Sequence, residues 1–159
     1  MLGRDYASQN CSAARALEVV GERWTLLILR DAFLGVTRFD GFARKLGISE
    51  NVLARRLDTL CDAGVLRRRP YQGRRCDYVL TDRGRGLFPV IVGLMAWGDE
   101  HLAPAGPPAL LRHGSCGGPI AAGAHCERCG AAVGPDDVEW FWGPGSGRPE
   151  RRFHPRREP

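Results

Sequence analysis

Four residues have the types and spacing of a metal site: His113-x2-Cys116-x9-Cys126-x2-Cys129, with His125 beside the second pair. Three thiolates and one imidazole satisfy a tetrahedral Zn2+, and two short-spaced pairs gather the ligands with little chain between them. The segment around them is small and poor in apolar residues, so it needs a staple to fold. The competing chemistry is a redox dithiol at Cys126 and Cys129. That reading calls for a strand-helix-strand setting, whereas Gly, Ala and Pro surround the motif here. Both readings stay open at this point.

A different thiol, Cys11, precedes the first helical pattern. A helix N-terminus favours a thiolate, which is a physical reason for redox reactivity; the alternative for a lone cysteine is packing. Cys61 lies on the inner side of its helix, and Cys76 in a strand. Other catalytic constellations are missing from the sequence: it has no glycine loop with the lysine of a phosphate site, no HExxH and no defensible carboxylate pair, so no enzyme is expected. The start, MLGRDYASQN, has no apolar signal segment, and the longest apolar run, residues 87–97, is short of the ~18 residues that a spanning helix needs. With six cysteines and no export signal, the expected place is the reducing cytoplasm, away from membranes.

Charge points to a second function. Residues 38–75 carry ten Arg or Lys against four acids, an excess larger than the +5 of the whole chain. A local basic excess suits a polyanion, with nucleic acid the default candidate and a solvated arginine-rich surface the alternative.

These residues must be positioned by elements, and the periodicity predicts them. Helices are expected over Cys11–Val20, Trp24–Leu34 and Phe39–Leu46, the last stopped by Gly47. Ser49 is a good N-cap for ENVLARRLDTLCDA, which Gly64 ends. Gly47-Ile48-Ser49 is the tight connection of a helix-turn-helix. On a wheel of about 100° per residue, Leu53, Leu57 and Leu60 form the buried stripe of the fourth helix, and Asn51, Arg55, Asp58 and Thr59 face away, with Arg56 on a flank. Asn and Arg suit purine edges in the major groove, and residues near the N-terminal end of such a helix, here from Ser49 through Val52, reach furthest in. Val65–Arg69 and Cys76–Leu80 then read as strands joined by a turn through Pro70, Gln72 and Gly73. Arg74 and Arg75 fall at the hairpin tip. Helix, turn, capped helix and basic hairpin together give a mainly α, α+β fold: a winged helix-turn-helix with a β-hairpin wing.

The stretches GERWTLLILRDAFLGVTRFDGFARKLGISENVLARRLDTLCDAGVLRRR and YVLTDRGRGLFPVIVGLMAWG resemble the HxlR-type winged-helix transcription regulators, relatives of the MarR group. The resemblance covers about residues 11–102 and rests on Trp24, Phe39, Ile48-Ser49, Leu53, Arg56-Leu57, Leu60, Gly64 and Tyr78-Val79-Leu80-Thr81. It implies a homodimer, joined through terminal helices, that binds double-stranded DNA at a palindromic operator, represses or activates a nearby gene, with repression the expected direction, and answers a redox, electrophile or small-molecule effector. The apolar Leu87, Phe88, Ile91, Val92, Leu94, Met95 and Trp97 suit such a dimer helix, with Pro89 expected to kink it early. Asn51 and Arg55 are the expected base readers, with Ser49 and Val52 beside them; Lys45, Arg56, Arg74 and Arg75 are the expected phosphate contacts. Cys11 matches a cysteine that many members carry, although the family continues Cys-Pro and this chain has Cys11-Ser12. A zinc or thiol-redox module that uses the winged helix to bind a protein partner is the other reading.

Composition shifts near residue 103. The expected organisation is a winged domain over 1–102, a linker over 103–112, a Cys/His extension over 113–145 and a disordered basic tail over 146–159. Trp140, Phe141 and Trp142 are expected to pack this extension, the alternative being an aromatic effector.

Overall fold

The computed structural model describes residues 6, 9–73 and 75–153. The chain divides into two compact units: one runs to Ala32 and resumes over Val36–Gly84, and the other joins Phe33–Gly35 to the residues from Arg85 onward.

The first unit is the winged helix that the periodicity predicts. Helices α1 (Ser12–Val20), α2 (Thr25–Phe33), α3 (Phe39–Leu46) and α4 (Glu50–Asp62) precede strands β1 (Leu66–Gln72) and β2 (Arg75–Leu80), and a single turn, α5 (Asp82–Arg85), closes the unit. Gly47, at φ +62°, lets α3 stop in a left-handed residue, and the Val52 N–H donates to Ser49 Oγ at 3.4 Å to start α4 two residues later. Leu53, Leu57 and Leu60 are fully buried with Ile28, Leu29, Phe42 and Leu66. At about 1.5–3 kcal/mol for each large apolar side chain, that stripe outweighs any propensity term in fixing how α4 rotates.

The wing is an antiparallel hairpin whose register runs from Leu66 opposite Leu80 to Pro70 opposite Cys76, with a shift between Pro70 and Gln72. Proline has no N–H for the ladder, so a bulge there is the natural break. Thr81 clasps the base of the hairpin: its Oγ1 lies 2.6 Å from the Gly64 carbonyl oxygen and accepts from the Gly84 N–H at 3.1 Å. A Cβ on Gly84 would stand 2.2 Å from the Val65 oxygen, so this approach requires glycine.

The second unit holds α6 (Phe88–Leu102) and two small sheets. β3 (Ala109–His113), β6 (Val138–Trp142) and β7 (Arg152–Phe153) form one sheet in the order β3-β6-β7, and β4 (Ile120–Ala121) pairs with β5 (His125–Cys126). Several expectations change here. Residues 109–113 are a strand and not linker. Composition hid this strand because its five residues are all half-buried and show no alternation. The boundary drawn at 146 falls inside a folded unit, since Phe153 is buried and its ring stacks 4.1 Å from that of Trp142. Pro89 sits in the first turn of α6, where its missing N–H has no helical partner to lose, so it opens the helix instead of kinking it. Finally, α6 groups with the cysteine-bearing segment in one compact unit.

Candidate nucleic-acid interface and metal centre

The basic excess of residues 38–75 is partly spent on internal ion pairs. Arg68 binds Asp58, Arg69 binds Asp77 at 2.9 Å, Arg38 lies 3.9 Å from the same carboxylate and 4.6 Å from the Tyr71 ring centre, and Arg44 lies 4.0 Å from Asp40. Arg56 is taken up by Glu22 at 2.8 Å with only 17% of its side chain exposed, which ties α4 to the corner between α1 and α2. Among the described residues, Arg55, Arg67 and Arg75 are exposed and have no ion-pair partner, and Lys45 is exposed in the last turn of α3. Asn51 is exposed on α4, Val52 is half-buried, and Ser49 is held to capping. Arg74 lies outside the described residues. Sequence reasoning missed Glu22 and Arg67; a lone acid in a turn gives no signal of the pair it makes.

Asp77 fixes the wing. Hydrogen bonding from Arg69 holds its carboxyl below the ordinary value against the opposing effect of burial, with Thr37 Oγ1 at 3.2 Å as a further donor. The Tyr78 N–H donates to the Thr37 oxygen at 2.7 Å, so the segment before α3 lies along the free edge of β2. In α2, Asp31 is buried with one carboxylate oxygen lacking a partner; burial pushes its pKa up, and Arg30 offsets this only in part.

The four predicted metal-site residues do come together, and their ligand atoms lie within 4.8 Å of one another. Cys116 Sγ is 3.4 Å from Cys126 Sγ and 3.8 Å from Cys129 Sγ, and His113 Nδ1 is 3.4 Å and 3.3 Å from the sulfurs of Cys116 and Cys129. Around a tetrahedral zinc with bonds of about 2.3 Å to sulfur and about 2.0 Å to nitrogen, neighbouring ligand atoms stand about 3.5–3.8 Å apart. The spacing therefore fits that ion. Two matching turns present the ligands: the Gly117 N–H donates to the His113 oxygen at 2.7 Å, and the Gly130 N–H to the Cys126 oxygen at 2.8 Å. Both glycines have positive φ, +70° and +73°. His113 thus holds in one turn the place Cys126 holds in the other, while the neighbouring His125 is exposed on β5 outside the cluster.

The surroundings complete the donor set. Ser115 Oγ lies 2.9 Å from His113 Nε2 and 3.4 Å from Nδ1, so the hydroxyl sits against the imidazole beside the cluster. Burial opposes a thiolate at Cys126, but the N–H groups of Cys129 and Arg128, with Cys116 and His113, bring its pKa down to about 6. Gly118 favours a thiolate at Cys116, yet Cys126, burial and Cys129 together push that pKa up. A Cβ on Gly118 would come within 2.6 Å of Cys126 Sγ, so glycine is required beside the site. Ser115 and Gly118 escaped sequence reasoning, although both lie within two residues of a ligand.

The model of the HxlR-like helix-turn-helix family matches residues 19–105. This chain belongs to that family. An HTH-type transcriptional regulator of Mycobacterium tuberculosis is 50% identical over 137 residues, covering 84% of this chain and 87% of the relative. The crystal structure of PA1607, described as a transcription factor, is 38% identical with a TM-score of 0.66 and covers 80% of this chain and 92% of that one. The redox regulator HypR in its reduced form is 27% identical with a TM-score of 0.53, covering 57% of this chain and 92% of HypR. Residues 1–105 make up about two thirds of the chain, so both of the broader matches take in part of the cysteine-bearing unit. The HxlR-like chain is a helix-turn-helix transcriptional regulator and not an enzyme. Among the described residues, no helix is long and apolar enough to cross a membrane.

Proposed function

We propose that this HxlR-like regulator is a cytoplasmic homodimer that binds a palindromic operator in double-stranded DNA as a repressor. The observation that carries this reading is the two-faced α4: Leu53, Leu57 and Leu60 are fully buried, and Asn51 and Arg55 stand exposed near its capped start. Asn51 and Arg55 read base edges in the major groove, while Lys45, Arg67 and Arg75 hold phosphates, together with Arg74. Ser49 and Val52 set the start of α4, and Arg56 braces it through Glu22. A second copy is supported by α6, where Val90, Leu94 and Trp97 recur at i, i+4 and i+7 with about half of each residue exposed. Cys11, exposed at the N-cap position of α1, is the thiol through which an oxidant effector acts, a role supported by the likeness to the redox regulator HypR. The cluster of His113, Cys116, Cys126 and Cys129 binds Zn2+.

The test is fluorescence anisotropy of a labelled duplex from the region upstream of the gene, titrated with protein against random DNA at several salt concentrations. Salt-dependent saturation at far lower protein on the upstream duplex is expected. Equal affinity for both duplexes overturns sequence-specific binding there.

A further inference from the structure

The three sulfurs of the metal centre are not equally sheltered. Cys126 is fully buried between the N–H groups of Arg128 and Cys129, Cys116 is half-buried, and Cys129 is exposed. The susceptibility of a cysteine sulfur to oxidants follows its exposure. Here one sulfur faces solvent with a second 3.8 Å away, and the fold around them is thin. β4 and β5 are two residues each, and the buried side chains of this part are Ala124, Cys126 and Val133. Its coherence therefore depends on the ion more than on apolar burial. The same hairpin lies against α6, where a Cβ on Gly93 would sit 3.4 Å from the Ala122 oxygen.

Resting on the reading of this cluster as a zinc site, we infer that the centre is oxidant-labile: a peroxide converts Cys129 and Cys116 to a disulfide and sets the zinc free. In the first step the Cys129 sulfur attacks one peroxide oxygen; an S–O bond forms, the O–O bond breaks, and hydroxide leaves. The Cys116 thiolate then attacks that sulfur; the S–S bond forms, the S–O bond breaks, and a second hydroxide leaves. Two protons from solvent turn the hydroxides into water. The two thiolates lose two electrons, the peroxide gains them, and zinc leaves as Zn2+ with its charge unchanged. With two of four ligands gone, the ion is no longer held, and the Cys116–Cys129 disulfide replaces it as the link across the β4–β5 hairpin. The signal differs in place and in chemistry from the one assigned to Cys11.

The full-length protein, loaded with zinc, is treated with hydrogen peroxide; released zinc is read with a chromogenic chelator, thiols are counted, and disulfides are mapped by peptide mass spectrometry. About one zinc per chain is released and a Cys116–Cys129 peptide appears; about two thiols are lost in a Cys11→Ser variant, and more in the unmodified chain, where Cys11 also reacts. A Cys11→Ser variant releases zinc at the same rate, and a Cys129→His variant, which keeps four ligands, releases it at least tenfold more slowly. If Cys129→His does not retain the metal, the disulfide map of the unmodified chain decides. Zinc retained while Cys11 is oxidised, or released without a Cys116–Cys129 link, overturns the inference and leaves the zinc reading standing. A chain that takes up no zinc overturns both.

Discussion

Replacing Arg55 by alanine separates base reading from general attraction to DNA. Arg55 is exposed on α4 and makes no ion pair among the described residues. Its removal therefore costs the fold little, and alanine is at least as good a helix former. A good bidentate contact to a base is worth about 1–3 kcal/mol, and a dimer on a palindrome has two of them. The operator complex should then weaken by about 4 kcal/mol, roughly a thousandfold. On random DNA the variant loses only one cation per protomer, a change of a few fold at moderate salt. Arg75→Ala gives the opposite signature, because a phosphate contact carries no sequence information. Its log affinity against log salt should flatten by about 0.9 per protomer on both duplexes. Anisotropy titrations of both variants on operator and random duplexes between 50 and 200 mM salt supply every number, with a thermal melt as the check on folding. An equal loss on operator and random DNA for Arg55→Ala would refute the placement of α4 in the groove.

The other expectations concern the supports of the two sites. Ser115→Ala removes the hydroxyl that lies against the His113 imidazole, and zinc affinity measured by chelator competition should fall, by up to about 10- to 100-fold, without loss of the winged helix. Leu94→Glu puts a charge on the exposed face of α6, and sedimentation should show the dimer dissociation constant rising about 30-fold or more, about 2 kcal/mol. Asp77 has a folded pKa below its unfolded value of about 3.9, so its contribution is complete above that value and is lost as pH falls through the folded one. Acid titration of wing amide exchange should show that loss in the native chain and not in Asp77→Asn; identical acid profiles would remove Asp77 as the anchor of the wing.

Much of the first unit was legible because burial and sequence period coincide. The bounds of α3 follow from Phe39 to Gly47, and the orientation of α4 follows from three leucines that are each fully buried. The four metal-site residues were legible for a different reason: two short-spaced pairs bring ligands together through local turns, without long-range packing. What stayed hidden is non-local. Arg56 looks like any flanking cation until Glu22 comes within 2.8 Å of it, and no periodicity encodes that meeting. The sheet of the second unit was equally silent, since β3 and β6 pair residues 109–113 with 138–142 across a long separation and are half-buried at every position but Trp140. The pairing of β7 rests on Phe153, a single aromatic in a basic stretch whose composition reads as tail.

That α6 belongs to the same compact unit as the metal cluster has a thermodynamic consequence. In the proposed function, zinc binding and the pairing of two copies through α6 draw on one folded unit, which would link each to the other through the free energy of ordering it. The protomer concentration at which dimers form then varies with the free zinc activity of the medium. Reciprocity requires that an assembled dimer retain its ion more tightly than a lone protomer, by the same factor. On that reading, a dimerisation constant measured for this chain is a property of protein and metal together, defined only at a stated zinc activity.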